Sequence, residues 1–176
     1  MQGDIPVMFS AERIQQRIDE LAAQITGAYQ GQSITIVGVL TGCLVFLSDL
    51  MRRLDFPMKI ALIRASSYRG AVTTAGDLRV HDEFLPDLRG RHILLLDDIL
   101  DSGKTLSHLV DHLRSLGTAS IKTAVLLRKI GMQKVAFEPD FCGFQIPDEF
   151  VIGYGLDYND EYRNLPFIGV LPHDAR

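Results

Sequence analysis

Apolar residues recur along this chain at two different spacings, and these predict which segments are helices and which are strands. Helical spacing follows Ser10, a favoured N-cap residue, and ends before Gly27 and Gly31. The same spacing recurs over 44–54 and over 105–116, where Gly117 follows. Three helices are therefore expected, the first of which buries Ile14, Ile18, Leu21, Ala22 and Ile25.

Continuous apolar runs separate these helical segments. They cover 34–40, 58–66, 92–98 and 121–129 and are rich in Ile, Val and Leu. A strand that is buried on both faces of a sheet has this pattern. Strands that alternate with helices along a chain predict an α/β fold with a mainly parallel sheet.

Two further segments show neither the helical spacing nor a continuous apolar run. Residues 66–83 are polar and rich in Ser and Thr, which predicts a flexible lid or a β-hairpin. Residues 139–171 are rich in aromatic residues, Gly and Pro, and we expect short strands and loops that form a small cap. Since no repeat or linker interrupts the chain, residues 1–176 are expected to be one domain.

Composition limits the classes of function. The chain has 176 residues, is 47% hydrophobic and carries a net charge of −4, so it has no basic excess to attract nucleic acid or an anionic membrane. The first ten residues lack the positive charge of a signal peptide, and the near-apolar run 34–47 is shorter than the roughly 20 residues of a membrane span. We expect a cytoplasmic protein that acts on small molecules. Cys43 and Cys142 are expected to be buried thiols without a chemical role.

The segment 92–105 carries the strongest chemical signal. Its aliphatic run leads directly into Asp97 and Asp98, and ligands of α/β sheets bind at the carboxyl ends of strands. Adjacent carboxylates can accept hydrogen bonds from the two hydroxyls of a ribose or hold Mg²⁺. The turn 101–105 opens a helix, so its backbone N–H groups can bind a phosphate. Together these features predict a site for a sugar phosphate.

Two other interpretations of the same residues are weaker. A pair of Asp residues near a strand end often serves only as a turn and helix cap, but the adjacent phosphate-binding turn makes this the weaker interpretation. The sequence Gly-Lys-Thr also occurs in nucleoside-triphosphate-binding P-loops. That pattern requires a Gly where this chain has Asp98, so it does not apply here.

The segment 93–105 resembles the phosphoribosyl pyrophosphate signature of the type I phosphoribosyltransferases. Residues 140–171 resemble the purine-binding segment of the hypoxanthine-guanine branch of that family, and "SSYRG" and "DLMRRL" resemble its flexible loop and its first helix. The similarity extends in the family's order from about residue 36 to 171. It implies the type I phosphoribosyltransferase fold, a mainly parallel sheet flanked by helices with a small C-terminal hood.

The resemblance also implies an activity. These enzymes transfer the 5-phosphoribosyl group of phosphoribosyl pyrophosphate to N9 of hypoxanthine or guanine with Mg²⁺, giving IMP or GMP and pyrophosphate in purine salvage. Asp97 and Asp98 match the residues that bind the ribose hydroxyls and Mg²⁺-bound water, and Asp101 matches the general base near N7. Without the resemblance, Asp101 would be a helix N-cap, and one residue can fill both roles. The residues implied to hold the 5′-phosphate are Asp101, Ser102, Gly103, Lys104 and Thr105.

Further along the chain, the resemblance assigns residues to the purine. Lys129 matches the lysine that binds the 6-oxo group, although the adjacent Arg128 leaves that alignment open by one position. Phe150 matches the aromatic residue that stacks on the base. Val151 and Asp157 match positions whose backbone carbonyls face the purine, and the Asp157 side chain also matches a Mg²⁺ ligand.

The remaining matches concern the pyrophosphate. Arg163 matches a pyrophosphate contact, and Ser67 and Tyr68 match residues that close over the donor. One departure occurs at Thr41–Gly42, where the family usually has Lys or Arg before the Gly. The family binds pyrophosphate there largely through the backbone, often with a cis peptide bond, so the departure removes a cation and leaves the backbone contact.

Some alternatives stay open on the sequence alone. One is a non-catalytic regulator with the same fold that uses the donor site as a sensor, and another is an enzyme that prefers xanthine. Adenine is disfavoured because its 6-amino group would face the donor Lys129. The family commonly forms homodimers or homotetramers, and helix 44–54 has apolar surface to share.

Overall fold

A six-stranded sheet forms the framework of the protein, in a computed structural model that describes residues 5–67 and 78–172. The strand order is β4-β3-β2-β5-β6-β7, and every neighbouring pair is parallel except β3 and β4. The predicted mainly parallel α/β sheet is thereby confirmed. The strands are β2 (Ile34–Leu40), β3 (Met58–Ser67), β4 (Leu78–His81), β5 (His92–Leu100), β6 (Ser120–Lys129) and β7 (Phe141–Ile146).

Helices cover both faces of this sheet, as the alternating pattern predicted. Helices α1 (Ala11–Ala28) and α2 (Leu44–Met51) share one apolar cluster with Leu94 and Leu96 of β5. Helix α3 (Lys104–Ser115) packs on the other face, in a cluster that includes Ile93 and Leu95. Successive residues of a strand point to opposite faces, which explains the unbroken apolar runs. Helix α2 ends three residues earlier than the predicted limit.

The first helix shows how closely local sequence sets local structure. The Ser10 side chain accepts a hydrogen bond from the Arg13 amide at 3.3 Å, as an N-cap does. The predicted apolar stripe is buried, and no member is more than 5% exposed. Each large aliphatic side chain buried in this way contributes about 1.5–3 kcal/mol to folding.

A second, three-stranded antiparallel sheet covers one end of the molecule. It comprises β1 (Val7–Phe9), β9 (Ile168–Val170) and β8 (Val151–Ile152), in the order β1-β9-β8. Residues 139–171 were predicted to form one cap, but only β8 and β9 belong to this second sheet, because β7 extends the main sheet. Gly143 permits this close pairing, since an added Cβ there would lie 2.3 Å from the Leu126 carbonyl oxygen. Strand β1 was not predicted.

The segment 66–83 agrees with the hairpin alternative at its two ends. Strands β3 and β4 pair antiparallel, with Ser67 opposite Leu78. Residues 68–77 lie outside the described residues, and so does the predicted donor contact Tyr68. Within 5–67 and 78–172, no helix has the length and apolar character to span a membrane. Both cysteines are free thiols, Cys43 buried and Cys142 partly exposed.

Candidate active site

The carboxyl ends of five parallel strands meet at one edge of the main sheet. Of these strands, β2, β3, β5 and β6 end there at Leu40, Ser67, Leu100 and Lys129, and β7, the fifth, ends there at Ile146. Open α/β sheets bind their ligands at this edge. Because of this parallel order, residues that lie far apart in the sequence, among them those that follow β2 and β5, come together in one cleft.

Asp97 and Asp98 lie inside β5, which continues to Leu100, rather than in a loop after it. Burial, together with the neighbouring Asp98 charge, raises the pKa of Asp97 well above its usual range. Burial also raises the pKa of Asp98, against the opposing effects of the Ile99 amide hydrogen bond at 2.8 Å and the charge of Arg163. Two adjacent desolvated carboxylates are stabilised in their charged form by a cation or by hydroxyl donors. The pair therefore has the electrostatic character of a ribose or metal site.

The predicted metal ligands do not form a self-sufficient cage. In the described parts of the chain, no three His, Cys, Asp or Glu side chains gather to hold an ion. Asp157 instead pairs with Arg163 at 2.9 Å. Mg²⁺ commonly takes one or two protein carboxylates and completes its shell with substrate phosphates and water. Asp97 and Asp98 fit that mode of binding.

The loop after β2 packs directly against this carboxylate pair. An added Cβ on Gly42 would lie 1.6 Å from Oδ2 of Asp98, so a side chain here would displace the Asp98 carboxylate. The Leu40–Thr41 peptide bond is cis, as the resemblance implied. The Thr41 carbonyl accepts a hydrogen bond from the Leu44 amide at 3.2 Å, and the residue itself is exposed. The loop therefore offers backbone atoms to a ligand, with a hydroxyl at position 41 in place of the family's cation.

The turn between β5 and α3 has the geometry of a phosphate site. Gly103 is the N-cap of α3 with φ of 80°, a left-handed conformation that glycine adopts without strain, and no side chain caps the helix. The N-cap Gly103 offers no side chain to the amides of the first turn, which Lys104 and Thr105 begin, and these amides can bind a phosphate. The Ser102 hydroxyl lies beside them and accepts from the Lys104 amide at 3.4 Å. Asp101 does not cap α3, so that alternative was wrong.

Lys129, at the end of β6, faces two carboxylates. Its Nζ lies 2.9 Å from Oδ1 of Asp148 and 3.7 Å from Oδ2 of Asp101. The neighbouring Arg128 instead pairs with Glu138. Of the two candidates, Lys129 is therefore the one whose side chain lies near Asp101.

The other residues predicted for the purine lie next to β8, on it and in the loop after it. Phe150 and Tyr158 meet edge to face with ring centroids 5.7 Å apart, and Val151 is buried as the first residue of β8. Arg163 donates to the Gly155 carbonyl at 2.8 Å as well as pairing with Asp157. In this state the Arg163 guanidinium, predicted for pyrophosphate, holds the cap loop together.

Three residues of this site were missed from the sequence. Gly155 approaches the loop after β2 so closely that an added Cβ would lie 2.2 Å from the Gly42 carbonyl oxygen. Gln133 donates from its amide to the carbonyls of Lys129 and Asp101. Asp148 is the nearer partner of Lys129. The only available signal was for Asp148, because the polar residues that follow two adjacent parallel strands, β6 and β7, lie at the same edge of the sheet.

A helix start suited to phosphate, beside the buried Asp97 and the half-buried Asp98 at the carboxyl edge of a parallel sheet, is typical of the class of enzymes that act on sugar phosphates. Comparison with known proteins gives the particular family. Residues 9–159 match the family model of the phosphoribosyl transferase domain, and the chain belongs to this family.

Individual relatives agree with this family and cover nearly the whole chain. The hypoxanthine-guanine phosphoribosyltransferase of Bacillus subtilis (strain 168) is 42% identical over 172 residues, 97% of this chain and 96% of that protein. A crystal structure of a hypoxanthine phosphoribosyltransferase from Staphylococcus aureus superposes with a TM-score of 0.92 at 38% identity, covering 99% of this chain and 95% of the other. The bifunctional protein TilS/HprT of Listeria innocua is 40% identical over 97% of this chain, which spans only 26% of that protein's length. The predicted family and fold are confirmed.

Proposed function

We propose that this chain is a hypoxanthine-guanine phosphoribosyltransferase of purine salvage. It transfers the 5-phosphoribosyl group of phosphoribosyl pyrophosphate to N9 of hypoxanthine or guanine, and IMP or GMP and pyrophosphate are released. The relatives named above support this proposal. The observation that carries it is the meeting of the carboxylate pair, the phosphate-binding turn and Lys129 at one edge of the sheet.

The donor binds along the loops that follow β2 and β5. The backbone amides and hydroxyls of 101–105 hold the 5′-phosphate, and the two carboxylates of Asp97 and Asp98 accept hydrogen bonds from the ribose hydroxyls. The backbone of Thr41 and Gly42 binds pyrophosphate. Arg163 joins it by exchanging its carboxylate partners for pyrophosphate oxygens, a role suited to its rigid set of donors.

Mg²⁺ supplies charge neutralisation for the departing pyrophosphate when it is bound. Asp97 and Asp98 would hold it directly or through water, and the Asp157 carboxylate would be a further ligand. The raised pKa of the Asp97 carboxyl supports this assignment, because a nearby cation would offset the repulsion between the two carboxylates.

The base binds between Lys129 and the cap. Lys129 donates to the 6-oxo group, Phe150 stacks on the ring, and the backbone carbonyls of Val151 and Asp157 accept hydrogen bonds from the purine edge. As the bond between C1′ and pyrophosphate breaks, positive charge develops on the ribose ring and N9 forms the new bond to C1′. The Asp101 carboxylate takes the proton released from the purine at N7.

An oligomer is also part of the proposal. Leu44 and Met51 of α2 and Ile60 of β3 are large apolar side chains that are 40%, 37% and 41% exposed. A homodimer or homotetramer would cover them. Sedimentation at several protein concentrations measures this directly, and a monomer at every concentration would contradict it.

The experiment that tests the function offers hypoxanthine, guanine, xanthine and adenine separately, each with phosphoribosyl pyrophosphate and Mg²⁺. Nucleotide should form with hypoxanthine and guanine and not with adenine. Turnover of xanthine alone would identify a xanthine enzyme. Donor binding without turnover of any base would identify a regulator that uses the same fold.

A further inference from the structure

The ammonium group of Lys129 lies near two carboxylates, one of which is closer to it than the other. Its Nζ donates a hydrogen bond to Asp148 at 2.9 Å, whereas Asp101 lies 3.7 Å away, beyond hydrogen-bond range. The Lys129 side chain is only 12% exposed. A charge that is largely removed from water requires a close partner, and Asp148 is that partner.

The identity of this partner matters because the two charged residues have separate tasks. In the proposed function, on which this inference rests, Lys129 must donate to the 6-oxo group while Asp101 accepts a proton at N7. If Lys129 and Asp101 paired with each other, the ammonium would turn away from the base. The lone pairs of the carboxylate would also be engaged by the lysine, and Asp101 would be a poorer proton acceptor.

The backbone fixes where these side chains start. Lys129 lies opposite Ile146 in the parallel register of β6 and β7, so Asp148 follows two residues beyond that pair. The Gln133 side chain donates to the carbonyls of Lys129 and Asp101, at 2.5 and 3.3 Å, and so ties the two segments together. Because the backbone is fixed at both Lys129 and Asp101, the position of the Lys129 ammonium depends on which carboxylate it pairs with.

We propose that Asp148 is a positioning residue for the transfer reaction. It holds the Lys129 ammonium away from Asp101, which leaves the Asp101 carboxylate free for the purine proton. An ammonium group has three N–H donors, so Lys129 can keep its bond to Asp148 and still donate to the 6-oxo group. Asp148 thereby also orients the group that distinguishes 6-oxopurines from adenine.

The test replaces Asp148 by Asn, which keeps the size and removes the charge. Asp148→Asn should raise the KM of hypoxanthine and guanine about tenfold and lower kcat several-fold, as expected when a charged hydrogen bond is lost. Donor affinity should not change, and Asp148→Glu should restore most of the activity. Asp111→Asn is the matched control, because Asp111 is an exposed carboxylate paired with Arg114 at 3.0 Å on α3. Its kinetics should equal those of the wild type.

A second variant separates positioning from a structural effect. In a Lys129→Met background, Asp148→Asn should cause no further loss, because no ammonium remains to be positioned. Additive losses in KM would overturn the proposal. So would an Asp148→Asn single variant with an unchanged or lower KM in an active enzyme. A wild-type chain that forms no nucleotide would instead overturn the proposed function itself, so the two failures can be distinguished.

Discussion

The donor side and the purine side of the cleft are built in different ways. The donor side is largely one contiguous segment, 97–105, which runs from the end of a buried strand into a helix. The purine side combines the end of β6 with loops of the cap, where Tyr154, Asn159, Asp160 and Tyr162 all have positive φ. Such backbone conformations are uncommon for residues other than glycine and persist where the surroundings hold them.

This difference predicts how each side responds to change. Backbone amides and strand-borne carboxylates cannot be replaced by neighbouring groups, so damage to the donor side should abolish the reaction. The purine side depends on contacts between residues that are distant in the sequence, such as the ion pair between Asp148 and Lys129. Its substitutions should alter the KM of the base and the choice of base more than they alter donor binding.

The largest expected effect is the removal of divalent metal. Chelation should reduce turnover to background, because pyrophosphate would leave without charge neutralisation beside Asp97 and Asp98. Added Mg²⁺ should restore the rate, measured as nucleotide formation from hypoxanthine. Undiminished turnover in the chelator would mean that the carboxylate pair acts through hydrogen bonds alone.

Asp101→Asn should have the next largest effect, since it keeps the size of the residue and removes the proposed base. Turnover should fall about 10²–10⁴-fold, the usual contribution of a general base. Donor affinity, measured by calorimetry, should stay within about twofold, because phosphate binding depends on backbone amides. If the folded variant loses donor affinity as much as turnover, Asp101 is a donor-binding residue rather than the base.

The two sides also differ in how far they could be predicted from the sequence. The strand, the carboxylates and the phosphate turn of 92–105 were predicted because each follows from local pattern and the contacts are near in sequence. The β1-β9-β8 sheet was not, because β1 has three residues and pairs with a strand near the other end of the chain. Asp148 and Gln133 escaped prediction for the same reason. Their roles depend on the register of β6 and β7 and on a loop conformation that no local pattern encodes.

Gly155→Ala should break the junction between the two sides. Gly155 has a φ of 98°, and an added Cβ there would lie 2.2 Å from the Gly42 carbonyl oxygen. The loop that contains Gly155 must therefore move away from the loop after β2. The free energy of unfolding should fall by about 3 kcal/mol, and the KM of the donor should rise about tenfold as Gly42 is displaced. Urea unfolding and donor kinetics measure both effects.

Gly31→Ala is the matched control for that variant. Gly31 also has a positive φ, 73°, but an added Cβ there meets nothing within 4 Å. Its free energy of unfolding should fall by only about 1 kcal/mol, from backbone strain alone, with unchanged kinetics. Equal kinetic losses in the two variants would show that strain, rather than contact with Gly42, explains the result.

The smallest expected effect comes from Thr41→Lys, which restores the family's cation at the edge of the donor side. Because residue 41 is exposed, the added charge should lower the KM of phosphoribosyl pyrophosphate only about two- to fivefold, in the range of solvent-exposed ion pairs. The gain should shrink as salt is raised, since exposed charges are screened. Thr41→Met supplies similar length without charge and should give no gain. If Met and Lys act alike, or if the gain persists at high salt, the benefit lies in packing of the loop. The donor side would then depend on the shape of its backbone and not on the charge that this chain lacks.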